Sequence, residues 1–155
     1  MGIEPKFNID DLFNDIGRKI NAILEGVIEA MQKTCLEITN KAKQLDTYQD
    51  QTNNLRSSIG YVVYNNGEKV AEPFTHAGAG SQGGAGSQGV GSTGIEKGKK
   101  VAEEAAKEFP NDLVGVVVAG EDYALYVESK GYDVITGPCL EAYTILERNL
   151  RLVFE

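Results

Sequence analysis

The chain has 155 residues, with 15 Lys and Arg against 23 Asp and Glu, so its formal net charge is −8. Sequence-independent binding of nucleic acid depends on Lys and Arg at the phosphates, so this acidic balance argues against that function. A chain of this length buries enough apolar surface to fold without disulfides or a structural metal. We therefore expect a single domain over residues 1–155.

The sequence shows no sign of membrane insertion or secretion. No stretch approaches the roughly 18 apolar residues of a membrane span, and acidic residues stand where a secretory signal would have a basic start and an apolar run. We therefore expect a soluble, cytoplasmic chain. Cys35 and Cys139 lie far apart and form no Cys-x-x-Cys motif, which favours two reduced thiols over a disulfide.

Residues 9–45 carry the strongest periodic pattern in the chain. Their apolar residues recur almost entirely at steps of three or four, which predicts one stripe on a long amphipathic helix. Asn8 or Asp10 can cap its start, and Gly17 or Gly26 is expected to mark a kink or a close contact. Such a helix spans roughly 50 Å, so part of the stripe should meet another chain unless the helix breaks. The stripe consists of Ile9, Leu12, Phe13, Ile16, Ile20, Ile23, Leu24, Val27, Ile28, Met31, Cys35, Ile38, Ala42 and Leu45.

Three later segments have the composition of β-strands. Residues 57–65 and 68–74 are rich in β-branched and aromatic residues and flank an Asn-Asn-Gly sequence. Because Asn-Gly adopts the positive φ angles of a type I′ turn, this pattern predicts a hairpin. Residues 113–119, LVGVVVA, predict a buried strand. For residues 123–128, a strand and a single helical turn fit the pattern about equally well.

Residues 78–94 contain the hexapeptide GAGSQG twice in tandem and eight of the 18 glycines of the chain. Such a segment buries little surface and has high chain entropy, so we expect a long mobile loop. It lacks the GK[ST] end of a phosphate-binding loop, which favours a flexible loop over a phosphate cradle.

Two more helices are expected after this loop. Thr93 as N-cap and Glu96 form a capping box, and Val101, Ala105 and Phe109 give the middle helix a modest apolar face. Residues 139–153 predict a closing amphipathic helix, with Pro138 near its first turn. Strands and helices do not alternate strictly, so we expect an α+β fold. Its small antiparallel sheet would be packed by the long N-terminal helix, the middle helix and the C-terminal helix.

The residue types of common catalytic sites do not form a recognisable group. His76 is the only histidine and has no Cys near it in sequence, so a surface position is favoured over a metal site or a triad. The acid pairs Glu103-Glu104 and Glu121-Asp122 are better explained as solvated faces than as a carboxylate dyad. We therefore expect a protein that is not an enzyme and has no cofactor and no metal site.

Two segments resemble a family of phage proteins. The sequence TNNLRSSIGYVV at residues 52–63 is similar to the TGxLRxSI segment of the tail-completion, or head–tail joining, proteins of siphovirus-type bacteriophages. The sequence YALYVE at residues 123–128, followed by Gly131, resembles the YAxxVExG signature of that family, although the glycine is displaced by two residues. Asn53 stands where the family has Gly, and Asn tolerates a similar turn because it enters the left-handed region.

The resemblance implies a non-enzymatic virion assembly protein at the head–tail junction or the tail end. It would act as a homo-oligomeric ring with other neck and tail proteins, first in the cytoplasm of the bacterial host and then in the virion. DNA would at most pass through the ring without sequence-specific contact, which suits a charge of −8. The tyrosines favour packing over base stacking. Residues assigned to assembly are Leu55, Arg56, Ile59, Tyr61, Tyr64, Tyr123, Tyr126 and Glu128.

Within this set, Leu55 and Ile59 are expected to anchor the sheet to the long helix. Arg56 is either a solvated strand residue or the partner of an acid such as Glu128 in an ion pair between subunits. The alternative to an assembly protein is a small cytoplasmic binding or adaptor domain that holds a nucleotide or peptide at the Gly-rich loop. That alternative predicts a stable monomer, whereas the assembly protein predicts self-association.

Overall fold

A computed structural model describes residues 2, 6, 8–50, 52–77 and 92–155 of the chain. Within these residues a three-stranded antiparallel sheet of order β2-β1-β3 packs with six helices, which confirms the predicted α+β fold. The predicted loop at 78–94 lies outside the described residues up to position 91, and positions 92–94 belong to a helix. The elements are α1 (Ile9–Lys43), α2 (Asn54–Ser58), β1 (Ile59–Asn65), β2 (Glu68–Ala71), α3 (Ser92–Ala106), β3 (Leu113–Ala119), α4 (Ala124–Ser129), α5 (Thr136–Leu140) and α6 (Ala142–Phe154).

The long N-terminal helix forms as one continuous element. The 35 residues of α1 span about 50 Å at the usual helical rise. Asn8 is its N-cap, because its side-chain oxygen accepts a hydrogen bond of 2.9 Å from the backbone N–H of Asp10. Lys41 and Lys43 lie in its last turn, where cations suit the negative end of the helix dipole.

The hairpin has the predicted turn but shorter strands. Asn66 and Gly67 have φ angles of 50° and 81°, the two positive values of a type I′ turn. β2 ends at Ala71 rather than at residue 74, and Pro73 follows closely with no N–H to donate to a strand. The predicted start of β1 is also wrong, since residues 57 and 58 belong to α2. This helix begins after Asn53, whose φ of 57° lies in the left-handed region that Asn tolerates.

The sheet has a helix on each face. Because side chains alternate along a strand, Tyr61 and Val63 of β1 point to one face and pack with Cys35 of α1. Val62 points to the other face and packs with Ala102 of α3. β1 therefore lies in the core between two helices, while β2 and β3 form the edges of the sheet.

The middle helix buries a different face from the predicted one. Val101 and Phe109 are exposed, whereas Ala102 and Ala106 are buried. The cause is close packing: a Cβ added at Gly98 would clash with the backbone oxygen of Ser58, so only small residues fit there. The predicted capping box is also wrong, because α3 begins at Ser92 and places position 93 inside its first turn.

The C-terminal part of the chain is helical in three pieces. Residues 123–128, whose pattern fits a strand and a helical turn equally well, contribute to α4. The predicted closing helix at 139–153 is divided at Glu141 into α5, which contains Pro138, and α6. α6 packs along α1 and covers part of its apolar stripe.

Candidate assembly surface

The contacts between α1 and α6 show where the covered part of α1 ends. Lys41 lies 2.5 Å from Glu141 at the start of α6, and Asn149 donates a 3.0 Å hydrogen bond to Thr34. A Cβ added at Gly26 would lie 2.5 Å from Val153, at the end of α6. α6 therefore runs antiparallel to α1, and its last turn lies beside position 26. We call residues 9–25, which extend roughly 25 Å beyond that point, the projecting segment.

The projecting segment carries an uncovered apolar stripe. In the covered half of α1, Cys35, Ile38 and Ala42 are buried. The stripe continues without a break into the projecting segment, where no described element covers it. Seven large apolar side chains there are between 44% and 66% exposed: Ile9, Leu12, Phe13, Ile16, Ile20, Ile23 and Leu24. α1 does not break, so the structure leaves this half of the stripe open to solvent.

Arg56 is held inside its own chain. Its Nη2 donates a 2.8 Å hydrogen bond to the carbonyl of Leu45, and its backbone N–H donates one of 2.8 Å to Asp50. The guanidinium carbon lies 5.2 Å from the centre of the Tyr48 ring, within the range of a cation–π contact. The prediction of a solvated strand residue is wrong, since Arg56 lies in α2 and fastens the loop between α1 and α2.

Glu128 closes the loop between α4 and α5. Its Oε1 accepts hydrogen bonds from the backbone N–H groups of Val134, Ile135 and Thr136 at 3.3, 3.0 and 3.0 Å. Its Oε2 accepts one of 2.8 Å from the Thr136 hydroxyl. Partial burial raises the pKa of Glu128, but these hydrogen bonds outweigh it and hold the pKa below the usual value. Glu128 is the acid that the sequence suggests as an ion-pair partner of Arg56. In the structure its carboxylate instead accepts hydrogen bonds from residues 134–136 of its own chain.

Four of the other predicted assembly residues contribute to internal packing. Leu55 and Ile59 are buried in one cluster with Ala42 of α1, as expected for residues that join the sheet to the long helix. Tyr61 is buried between the sheet and α1. Tyr64 is half-buried against the cluster under α3. None of these four side chains offers a large exposed surface.

Tyr123 and Tyr126 are the predicted residues that remain accessible. Both are exposed on or beside α4, and the Lys130 ammonium lies 5.1 Å from the centre of the Tyr126 ring. Tyr126 lines a cleft of about 580 Å³ between α4 and the loop that Arg56 fastens. Tyr123 and Tyr126 therefore provide exposed aromatic side chains that lie outside the projecting segment.

Glu121 is another residue whose environment differs from the prediction. Its side chain is 3% exposed rather than solvated, and it lies 2.8 Å from Nζ of Lys97. Hydrogen bonds to Asp122 and Glu121 raise the pKa of Lys97. This ion pair joins α3 to the end of β3, because Lys97 lies in α3 and Glu121 follows the strand. The acid pair is therefore structural rather than a free carboxylate dyad.

An apolar groove between β3 and α6 is a feature that sequence reasoning missed. Its volume is about 330 Å³, and no charged side chain lines it. Because it combines α1, β3 and the consecutive helices α5 and α6, three parts of the chain that lie far apart in sequence, no local sequence pattern signals it. Both cysteines, Cys35 and Cys139, are free thiols in its lining. Burial raises the pKa of Cys35 to about 12.

Other kinds of site find little support in the part of the chain that the structure describes. His76 is exposed, and no three His, Cys, Asp or Glu side chains there are grouped so as to hold a metal ion. None of the described helices combines the length and apolar character needed to cross a membrane. Comparison with protein-family models, curated proteins and solved structures finds no match to this chain.

Proposed function

We propose that this protein is a non-catalytic virion assembly protein of a phage or prophage, placed at the head–tail junction or the tail end. It acts by ring-like self-association and by binding other neck and tail proteins. The observation that carries the proposal is the projecting segment of α1, where seven large apolar side chains have no cover from the described part of their own chain. Solvent-exposed apolar patches of this kind mark interaction surfaces.

The free energy available from one stripe favours repeated contacts over one isolated contact. Full burial of a Leu, Ile or Phe side chain contributes about 1.5–3 kcal/mol. Because the seven side chains are about half exposed, covering all of them contributes on the order of 7 kcal/mol. Association itself costs several kcal/mol in lost translation and rotation. A closed ring, in which every copy makes two such contacts, offsets that cost better than a dimer does.

The phage assignment is supported by the resemblance of residues 52–63 and 123–128 to the tail-completion family. In the structure, the first segment enters β1 after a long N-terminal helix, and the second precedes α5 and α6. The net charge of −8 suits a ring through which DNA passes without being gripped. The proposed locations are the host cytoplasm during assembly and then the virion.

Light scattering after size-exclusion chromatography tests the self-association. We expect the wild type to have several times the monomer mass of 16.8 kDa, and Ile16→Glu/Ile20→Glu to be a folded monomer. The matched control is Asn14→Glu/Asn21→Glu, which adds the same charge at exposed positions of the projecting segment outside the stripe. It should keep the wild-type mass. A wild type that stays at 16.8 kDa at every concentration would overturn the proposal.

Deleting the gene from the phage tests the assembly role. Electron microscopy of the lysate should then show DNA-filled heads and tails that have not joined, or tails without a finished end. Complete infectious particles would contradict the role in assembly. A monomeric wild type together with a nucleotide or peptide that protects residues 78–94 from proteolysis would instead support the adaptor domain.

A further inference from the structure

The groove between β3 and α6 is a second uncovered apolar surface on the same molecule. Gly115 and Val117 of β3 form one wall, and Cys139 of α5 with Tyr143 and Leu146 of α6 forms the other. The floor belongs to the covered half of α1. Tyr143, although it lines the groove, is 79% exposed. The groove is therefore open to a partner of apolar character.

We propose that this groove receives the projecting segment of a second copy of the chain. The inference deepens the proposed function, on whose self-association it rests, by naming the two surfaces that meet. The stripe of one copy would lie between β3 and α6 of the next copy. An amphipathic helix seated in an apolar groove is a common mode of protein recognition.

The geometry of α1 excludes an occupant from the same α1 helix. Met31, Cys35 and Ile38 in the floor of the groove and the projecting segment belong to one unbroken helix. A continuous helix cannot fold back onto its own covered half without breaking its backbone hydrogen bonds. The α1 stripe that fills the groove must therefore come from another molecule.

The width of the stripe favours a groove over a single facing helix. Ile9, Phe13, Ile16, Ile20 and Ile23 follow the alternating steps of four and three of a coiled-coil seam. Leu12 and Leu24 lie outside that seam, one on each side of it. A stripe that exceeds the seam is typical of a helix covered by more than one element. The covered half of α1 shows this arrangement, since it packs against both the sheet and α6.

Charge also favours this pairing between copies. Each copy has a net charge of −8, so copies repel one another where their acids approach. The stripe and the groove lining both contain no charged side chain. The two surfaces that meet therefore desolvate no unpaired charge of their own.

The amount of surface fits a ring better than a pair. A stable interface buries about 800 Å² on each partner, which corresponds to about 20–30 residues. One stripe of seven large side chains in a groove lined by ten residues is smaller than that. Because stripe and groove are different surfaces, the contact is heterologous, and each copy uses both. Closure into a ring then doubles the surface buried by every copy.

Mixing two defective variants tests the contact. The stripe variant is Ile16→Glu/Ile20→Glu, and the groove variant is Tyr143→Glu, with Thr144→Glu as the matched control. Thr144 is exposed on α6 next to Tyr143 but does not line the groove. We expect both variants to be folded monomers by circular dichroism and light scattering, while the control assembles as the wild type does. Mixed in equal amounts at rising concentration, the two variants should approach twice 16.8 kDa, because one intact stripe and one intact groove remain. This single contact should be weaker than the closed ring of the wild type.

Different results of these experiments would overturn the stripe–groove contact and the proposed function. A groove variant that assembles as the wild type does would overturn the inference while self-association through the stripe stands. Two folded monomeric variants whose mixture stays at 16.8 kDa even at the highest concentration would also overturn it, since one productive contact would then be intact without effect. A monomeric wild type would overturn the proposed function itself.

Discussion

Gly26 of α1 packs directly against Val153 of α6. A Cβ added at Gly26 would lie 2.5 Å from one methyl carbon of Val153 and 3.5 Å from the other. The two helices therefore meet at a distance that only glycine permits at this position. This contact lies in the last turn of α6 and directly precedes the projecting segment, so it marks the boundary between the covered and the uncovered half of the stripe.

Alanine substitutions at Gly17 and at Gly26 of α1 should differ in their effect on the free energy of unfolding. Gly17→Ala should raise the free energy of unfolding by up to about 1 kcal/mol, because Ala favours the helix and nothing lies within 4 Å of the added Cβ. Gly26→Ala should show no such gain, since its Cβ displaces Val153. Urea unfolding at one fixed protein concentration measures both. Equal gains at the two sites would show that α6 does not pack against Gly26.

Arg56→Ala should lower the free energy of unfolding by about 2 kcal/mol, because the Leu45 carbonyl loses a charged donor and Tyr48 loses the stacked guanidinium. Arg56→Lys should recover little, since an ammonium does not reproduce the planar fork. Asp46, whose side chain is 97% exposed at 3.8 Å from Arg56, serves as the control. Asp46→Ala should cost under about 1 kcal/mol. Lost assembly with an unchanged free energy of unfolding in Arg56→Ala would instead support an ion pair between subunits.

Glu128→Gln should lower the free energy of unfolding at pH 7 by about 1.5–3 kcal/mol, because the charged acceptor of three backbone N–H groups is lost. The pKa of Glu128 is lower in the folded than in the unfolded state. Its contribution is therefore present above the unfolded pKa and is lost as the pH falls through the folded pKa. Urea titrations from pH 7 to pH 3 should show a smaller acid loss for Glu128→Gln. Glu147→Gln on α6 is the control, and a parallel loss in both variants would contradict this account.

Tyr48→Phe should reduce the loss of stability at high pH. Burial raises the pKa of Tyr48 to about 12, although the Arg56 guanidinium acts in the opposite direction. A raised folded pKa means that the neutral phenol favours the folded state, so this contribution is lost as the pH rises from about 10 towards 12. The wild type should lose about 2 kcal/mol more than Tyr48→Phe over that range. Tyr126→Phe, at an exposed hydroxyl, should behave as the wild type, and the same loss in all three proteins would refute the effect.

The sequence predicts those elements of the fold that depend on residues close together along the chain. The spacing of apolar residues from Ile9 to Leu45 predicts α1, and Asn66-Gly67 predicts the turn, because both depend on neighbours in sequence. The buried face of α3 was not predictable in this way. Large residues such as Val101 suggested one face, but close approach to Ser58 requires Gly98, and the small Ala102 is the residue buried against the sheet. Such distances are set by tertiary packing, which no single segment encodes.

The candidate surface was predictable only in part. The length of α1 alone indicates an uncovered stripe, because a helix of roughly 50 Å exceeds the diameter of a small domain. The roles of Arg56 and Glu128 were not predictable, since each bonds to backbone groups of its own loop, at Leu45 and Ile135. The groove depends on the positions of Val117 and other residues from four elements, and that arrangement exists only in the folded chain.

Hydrogen–deuterium exchange of the wild type, followed by mass spectrometry over a range of protein concentrations, tests most directly whether another copy covers the projecting segment. A helical segment of 17 residues with no tertiary cover opens often, so its amides exchange rapidly in a monomer. We predict that exchange in residues 9–25 slows as the concentration rises, while exchange in residues 124–129 of α4 does not change. Rapid exchange in residues 9–25 at every concentration would contradict the central claim that these residues join one copy to the next.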